Sequence, residues 1–342
     1  MIYSIPNMNL NETLKFSGNL NKITPDNEMI FDFSEMHQFD PLPMLMMGSI
    51  IRDYRSKYPD IPFKVTWRDY IGKGYAGTMG FFKYISEKLE VGKMPGEAQG
   101  SLNYIPITPI EFNELKKTEF KKGNYIVLGD LIEKEAEKLS SIVDRGNSEL
   151  HKLLTYLIRE IMRNIPEHAN TDKLWICGQY WKSYNLAEIA ILDEGIGIFK
   201  SITQNAYHRE YIKNNLMALC WSLKAGISDA FKPSIKQKSA DVWANSGFGL
   251  FMVSEICKHL NGSFCLVSYD NYILIDNHGI NTGSTYLKGT AIRIRVPCDK
   301  ITNAQNIISM IALKGEEQSK SIRNTFKEAS SPSKGLIDMI KD

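Results

Sequence analysis

Residues 159–168 read Arg159-Glu-Ile-Met-Arg-Asn-Ile-Pro-Glu-His168, and the rest of the chain is best read outward from them. Glu160, Asn164 and His168 recur every four residues, so on a helix they project from nearly one face. The flanking residues support a helix from Ser148 to about Ala169: Leu153, Leu154, Leu157, Ile158, Ile161 and Ile165 form an apolar stripe at helical spacing. A carboxylate can orient and deprotonate a water, and an amide oxygen one turn along can hold Mg²⁺, which prefers oxygen ligands. The same residues also fit a plain solvated face. Pro166 removes one helical hydrogen bond and predicts a kink or a final turn.

Downstream, Lys173 to Trp181 and Leu186 to Leu192 alternate apolar and polar residues around the short Lys182-Ser-Tyr-Asn185, a hairpin signal. The second run ends in Asp193-Glu-Gly-Ile-Gly197, where alternate glycines allow a ligand to approach the backbone and the aspartate can accept a hydrogen bond from an exocyclic amine. A tight turn would read the same way. Residues Lys200 to Leu223 read as helical and Lys224 to Ser246 as a polar loop. Ser246-Gly-Phe-Gly-Leu-Phe-Met-Val253 is a glycine-rich turn entering a helix over Leu250 to Leu260, either a phosphate cradle of backbone N–H groups or a capping turn. It is neither a Walker A motif nor a dinucleotide fingerprint. Strands over Ser263 to Tyr269, Tyr272 to Ile275 and Thr290 to Pro297 follow, the last opened by Gly289-Thr290.

Toward the N-terminus, Met29 to Leu89 alternates strand and helix: Met29-Ile-Phe-Asp-Phe33, a helix over Pro43 to Tyr58, Pro62-Phe-Lys-Val-Thr-Trp67, and a helix over Met79 to Leu89. This βαβα order predicts a small α/β module with a mainly parallel sheet. Val91 to Gly123, rich in Gly, Pro, Asn and Lys, reads as a partly extended connection, and a polar helix covers about Asp130 to Val143. The expected division is a module over 1–100, a linker and connecting helix over 101–147, a second domain over 148–300 and, over 301–342, a C-terminal helix and flexible tail. From Lys314 the chain is polar, with a late Leu336-Ile-Asp-Met-Ile340 stretch suited to a short docking helix.

At about 150 residues per domain, a chain of 342 residues holds about two. Apolar residues at 43% and charged residues at 23% exclude wholesale disorder and a fibrous repeat. The net charge of +2 offers no general attraction to nucleic acid or an anionic membrane, so a bound phosphate would depend on backbone geometry. No apolar run is long enough to span a bilayer and no leader pattern opens the chain, which predicts a cytoplasmic protein. Cys177, Cys220, Cys257, Cys265 and Cys298 form no CxxC pair and read as free thiols.

Taken together and in this order, the four motifs resemble the GHKL ATPase family of gyrase-type topoisomerases, heat-shock chaperone ATPases, mismatch-repair ATPases, histidine kinases and anti-sigma kinases. The resemblance covers roughly residues 148 to 298 and implies a two-layer α/β sandwich that binds ATP and Mg²⁺. It implies Glu160 as general base, Asn164 as Mg²⁺ ligand and Asp193 as reader of the adenine amine. Gly195 and Gly197 match the first glycine turn, and Gly247, Phe248, Gly249 and Leu250 match the turn at the triphosphate. Thr290 matches the hydroxyl that supports the adenine site, and His168 ends the first motif. The segment 200–246 takes the place of the ATP lid, where Lys236 and Lys238 either approach the γ-phosphate or are simply solvated.

Ile30-Phe-Asp-Phe-Ser-Glu-Met-His-Gln-Phe-Asp-Pro-Leu-Pro43 and the helix after it resemble a STAS domain, with Leu42 where that family carries a phosphorylated serine. A generic small α/β domain fits as well. The joint expectation is a Mg²⁺-dependent ATP-binding regulator with slow hydrolysis, coupled to a protein partner or a homodimer contact. The alternatives are an anti-sigma-type serine/threonine kinase and a nucleotide-gated binding module without turnover. His151 does not suit a histidine-kinase phosphoacceptor, because it lies on the same helix as Glu160.

Overall fold

The computed structural model describes residues 1–68, 74–101, 103–122, 127–227 and 247–323. The chain opens with β1 (Ile2–Ser4), α1 (Leu10–Leu20), β2 (Met29–Asp32), α2 (Pro41–Lys57) and β3 (Phe63–Thr66), and the three strands form a parallel sheet in the order β1-β2-β3. The expected alternation of strand and helix is therefore present, preceded by β1 and α1. At three residues, β1 is too short to display a period. The helix expected over Met79 to Leu89 is instead two short ones, α3 (Tyr75–Thr78) and α4 (Phe81–Ile85), separated at Gly80, whose φ of +84° no helix interior holds.

The second half contains β4 (Tyr104–Glu111), α5 (Phe112–Lys121), α6 (Leu128–Val143), α7 (Ser148–Asn164), β5 (Lys173–Trp181) and β6 (Leu186–Asp193). Three short helices follow, α8 (Gly197–Thr203), α9 (Ala206–Tyr211) and α10 (Asn215–Ser222), then α11 (Gly249–His259), β7 (Ser263–Asp276), β8 (Gly279–Pro297) and α12 (Ala304–Arg323). The five strands form an antiparallel sheet in the order β4-β5-β6-β8-β7.

Four further expectations change. The last strand, expected from Thr290, begins at Gly279, so Gly289-Thr290 lies within β8 and does not open it. The stretch read as a connection supplies β4, an edge strand paired with β5, so it belongs to the second sheet. The two strands expected between Ser263 and Ile275 are one, interrupted by register shifts around Tyr269, whose φ of +48° marks a bulge. The polar residues after Lys314 continue α12 to Arg323, because Gly315 lets the helix lie close against Phe248 and Phe251. Residues 324–342, with the Leu336 to Ile340 stretch, and Lys236 and Lys238 lie outside the described residues. Among the described residues no helix is long and apolar enough to cross a membrane, and all five cysteines are free thiols.

Burial explains how the two sheets are joined. α7 and α11 cover one face of the antiparallel sheet, its front, with Leu153, Leu157, Ile161, Ile189, Ile191 and Ile294 in one core. Its back face carries Cys177, Ala190, Leu192, Cys265, Val267 and Ala291, and these share a core with Phe31, Phe33, Met44 and Met47 of the N-terminal unit. α2 is the shared layer: every residue from Pro41 to Ile51 is buried, so the helix has no polar face there and must be covered on both sides. The layers run helices, antiparallel sheet, α1 and α2, and finally the small parallel sheet.

The N-terminus of α2 is docked as well. Glu188 of β6 is fully buried, accepts from the Leu42 amide at 3.4 Å, and is held by Arg295 Nε at 2.8 Å. The position compared with a phosphorylated serine is thus a fully buried leucine facing a carboxylate. A chain shortened to residues 101–323 would uncover the back face, and we expect it to aggregate or lose dispersed amide NMR signals. A folded monomer by size-exclusion chromatography would show that the N-terminal unit is dispensable for this core.

Candidate functional site

The last turn of α7 sets the site geometry. Pro166 has no N–H to continue the α-helical ladder, and Ile165–Ala169 widens into a π-turn ended by Asn170 at a φ of +54°. The widened turn presents the Ala169 carbonyl, which accepts from the Ile196 amide at 2.9 Å. Gly195 passes so close that a Cβ there would lie 2.1 Å from that carbonyl oxygen, which accounts for the glycine at 195. Gly197, at a φ of +74°, then starts α8 beneath Ser268 and Tyr269.

These elements form one wall of a cleft of about 780 Å³, counting space open to solvent, on the front side of the antiparallel sheet. Asn164 and His168 line it from α7 and the π-turn, Asp193 and Gly197 from the end of β6, Gly247, Gly249 and Leu250 from the start of α11, and Thr290 from β8. Its floor is apolar, with Ile161, Ile165, Ile191 and Ile292. Residues from four separated motifs therefore meet in a single cleft.

The other expected residues stand behind this wall. Phe248 is fully buried against α12 and Gly195 supports the turn. Glu160, 4% exposed, gives one oxygen to Arg159 Nη2 at 2.8 Å, while Arg159 also reaches Glu133 of α6 at 3.2 Å. The other oxygen, Oε2, faces Gly249, where an added Cβ would come within 3.2 Å of it.

Asp193 is 6% exposed, accepts from the Gly195 amide at 2.9 Å, and is also hydrogen-bonded by the amide and hydroxyl of Thr290, its cross-strand partner. Burial outweighs these bonds and pushes its carboxyl from 3.8 up to about 7. The Asn164 amide nitrogen donates to the Glu160 carbonyl at 3.0 Å, so the oxygen is the atom it can offer to a cation.

Spacing alone missed three contributors. Ser268 is fully buried, accepts from the Ile198 amide at 3.2 Å and donates to the Gly289 carbonyl at 2.8 Å, tying the Gly197 turn to β8. Arg159 and Glu194 both stand inside the quoted motifs, yet their partners lie on α6 and α2, which no local pattern connects. Comparison of the chain with protein-family models, curated proteins and solved structures finds no match.

The raised pKa of Asp193 makes a stability prediction. Below about pH 3.8 the carboxyl is protonated in both folded and unfolded chains and costs nothing. As pH rises toward about 7, the unfolded chain loses its proton while the folded one keeps it, so stability falls, by about 4 kcal/mol once pH exceeds 7. Asp193→Asn keeps the acceptor oxygen without the charge, and we expect it to raise the unfolding midpoint more at pH 8 than at pH 5. An equal shift at both values in thermal melts would contradict a buried titrating carboxyl.

Proposed function

We propose that the chain binds Mg·ATP in this cleft and hydrolyses it slowly, as the resemblance to GHKL ATPases implies. The observation that carries the proposal is the convergence of a buried carboxylate, an amide side chain and a glycine turn at a helix N-terminus on one apolar-floored cleft. A structural aspartate would gain nothing from a site that opposes its ionisation, whereas a base-reading carboxylate needs such a desolvated place.

The adenine amine would donate to Asp193, with the ring over Ile191 and Ile292 and Thr290 holding the carboxylate in place. The phosphates would meet the first amides of α11, whose N-terminus favours negative charge. Mg²⁺ would be held by the Asn164 oxygen together with substrate oxygens and would neutralise phosphate charge. The residues fit that role: among the described residues no cluster of three His, Cys, Asp or Glu gathers that could hold a cation alone, and Mg²⁺ usually takes one or two protein ligands beside phosphates. Glu160 Oε2, on the Gly249 side, would orient a water and accept its proton, with Oε1 committed to Arg159. That second commitment agrees with slow turnover.

Titration calorimetry with ATP and Mg²⁺ tests the binding. Asp193→Asn and Asn164→Ala are expected to abolish it, and an unchanged affinity in Asp193→Asn would remove the adenine assignment. Glu160→Ala should bind ATP normally and lose at least about 100-fold in turnover, measured as phosphate release. Radiolabel from γ-labelled ATP retained on protein, with no free phosphate, would replace hydrolysis by phosphotransfer.

A further inference from the structure

Asp193 is the last residue of β6 and Glu194 the next one along, continuing the alternation by which successive side chains point to opposite faces. Asp193 faces the cleft. Glu194 faces the back of the sheet, where α2 lies, and its Oε1 accepts from the Ser49 hydroxyl and from Arg52 Nη2, each at 2.6 Å. Both donors are held independently. Ser49 is 1% exposed, and Arg52 stacks on Tyr84 with 3.9 Å to the ring centroid while donating to the Tyr84 carbonyl at 2.7 Å. Trp175 of β5 flanks the same guanidinium with 5.2 Å to its ring.

This grip adds little to docking of the N-terminal unit, which an extensive apolar core already secures, and partly exposed ion pairs contribute little on their own. Its consequence is local. Besides the Thr290 bonds to Asp193, the Asp193–Gly195 turn is held by the Ala169 carbonyl, by the close passage of Gly289, where a Cβ would lie 2.1 Å from the Asp193 oxygen, and by the Glu194 side chain. The first two belong to the elements that form the cleft. The third comes from α2.

We propose that Glu194, gripped by Arg52 and Ser49, is a positioning residue for the Asp193 turn, and that through it the N-terminal unit sets the affinity of the cleft for nucleotide. The inference rests on the adenine-nucleotide reading of the cleft. Glu194 and Asp193 are joined by one peptide link, so a shift of α2 that pulls the Glu194 side chain would displace the adjoining backbone and with it the ligand acceptor. A loosening of the Arg52 end of α2 would lower nucleotide affinity, and by reciprocity bound nucleotide would steady α2.

The test uses the full chain, calorimetry with adenylyl imidodiphosphate and Mg²⁺, and hydrogen exchange of the α2 amides. Glu194→Gln and Arg52→Ala are each expected to weaken binding about fivefold to tenfold, with the double variant no weaker than the worse single one and thermal midpoints near wild type. Nucleotide should slow exchange in α2 of the wild type and leave it unchanged in Glu194→Gln. If Arg52→Ala fails to fold, the isosteric Glu194→Gln carries the test alone. Wild-type binding with unchanged affinities in the variants would overturn the positioning role and leave the nucleotide reading intact. No binding by the wild type would overturn both.

Discussion

A helix buried through eleven consecutive positions cannot sit at the edge of a domain, and from Pro41 to Ile51 α2 turns no polar face to water. The parallel sheet covers one side of it and the back of the antiparallel sheet covers the other. Once α2 is enclosed, other features follow. Glu188 must be buried with Arg295 beside it, the Leu42 amide finds its acceptor there, and Glu194 comes within reach of Ser49 and Arg52. The two sheets are thus joined by a common core, and what happens at the back of β6 is one residue away from the cleft at its front.

The cleft shows the opposite economy. Asp193 sits in surroundings that oppose its charge, and the hydrogen bonds from Gly195 and Thr290 do not offset the burial. The turn carrying it is fitted so closely to Ala169 and Gly289 that no side chain larger than hydrogen fits at 195 or 289. Structure that is tightly specified yet locally unfavourable suits the nucleotide site proposed for this cleft, where rigidity would place the acceptor and desolvation would make its hydrogen bond selective.

Much of the front of the molecule was legible in the chain because its signals are local. The stripe from Leu153 to Ile165 marks the buried face of α7, the alternation before Asp193 marks β6, and the glycines at 247 and 249 mark the start of α11. Boundaries failed where a longer-range contact overrode local composition. β4 looks like linker because Pro106 and Pro109 interrupt its pattern, yet an edge strand tolerates them. α12 looks like tail after Lys314 because its exposed face is charged, while Gly315 and its packing on Phe248 and Phe251 hold it in place.

The sequence by itself determined the types and order of most elements, β1, α1, β4 and α5 excepted, and the chemical groups available to the cleft, since period, turn residues and side-chain identity are properties of short segments. It also marked Pro166 as irregular. Only the tertiary structure decided that the irregularity is a π-turn supporting Gly195, that Arg159 reaches Glu133 of α6 as well as Glu160, and that Glu194 is bonded by α2. Those pairings join residues up to about 145 positions apart, and no local pattern encodes a partner that distant; packing of the shared core selects it.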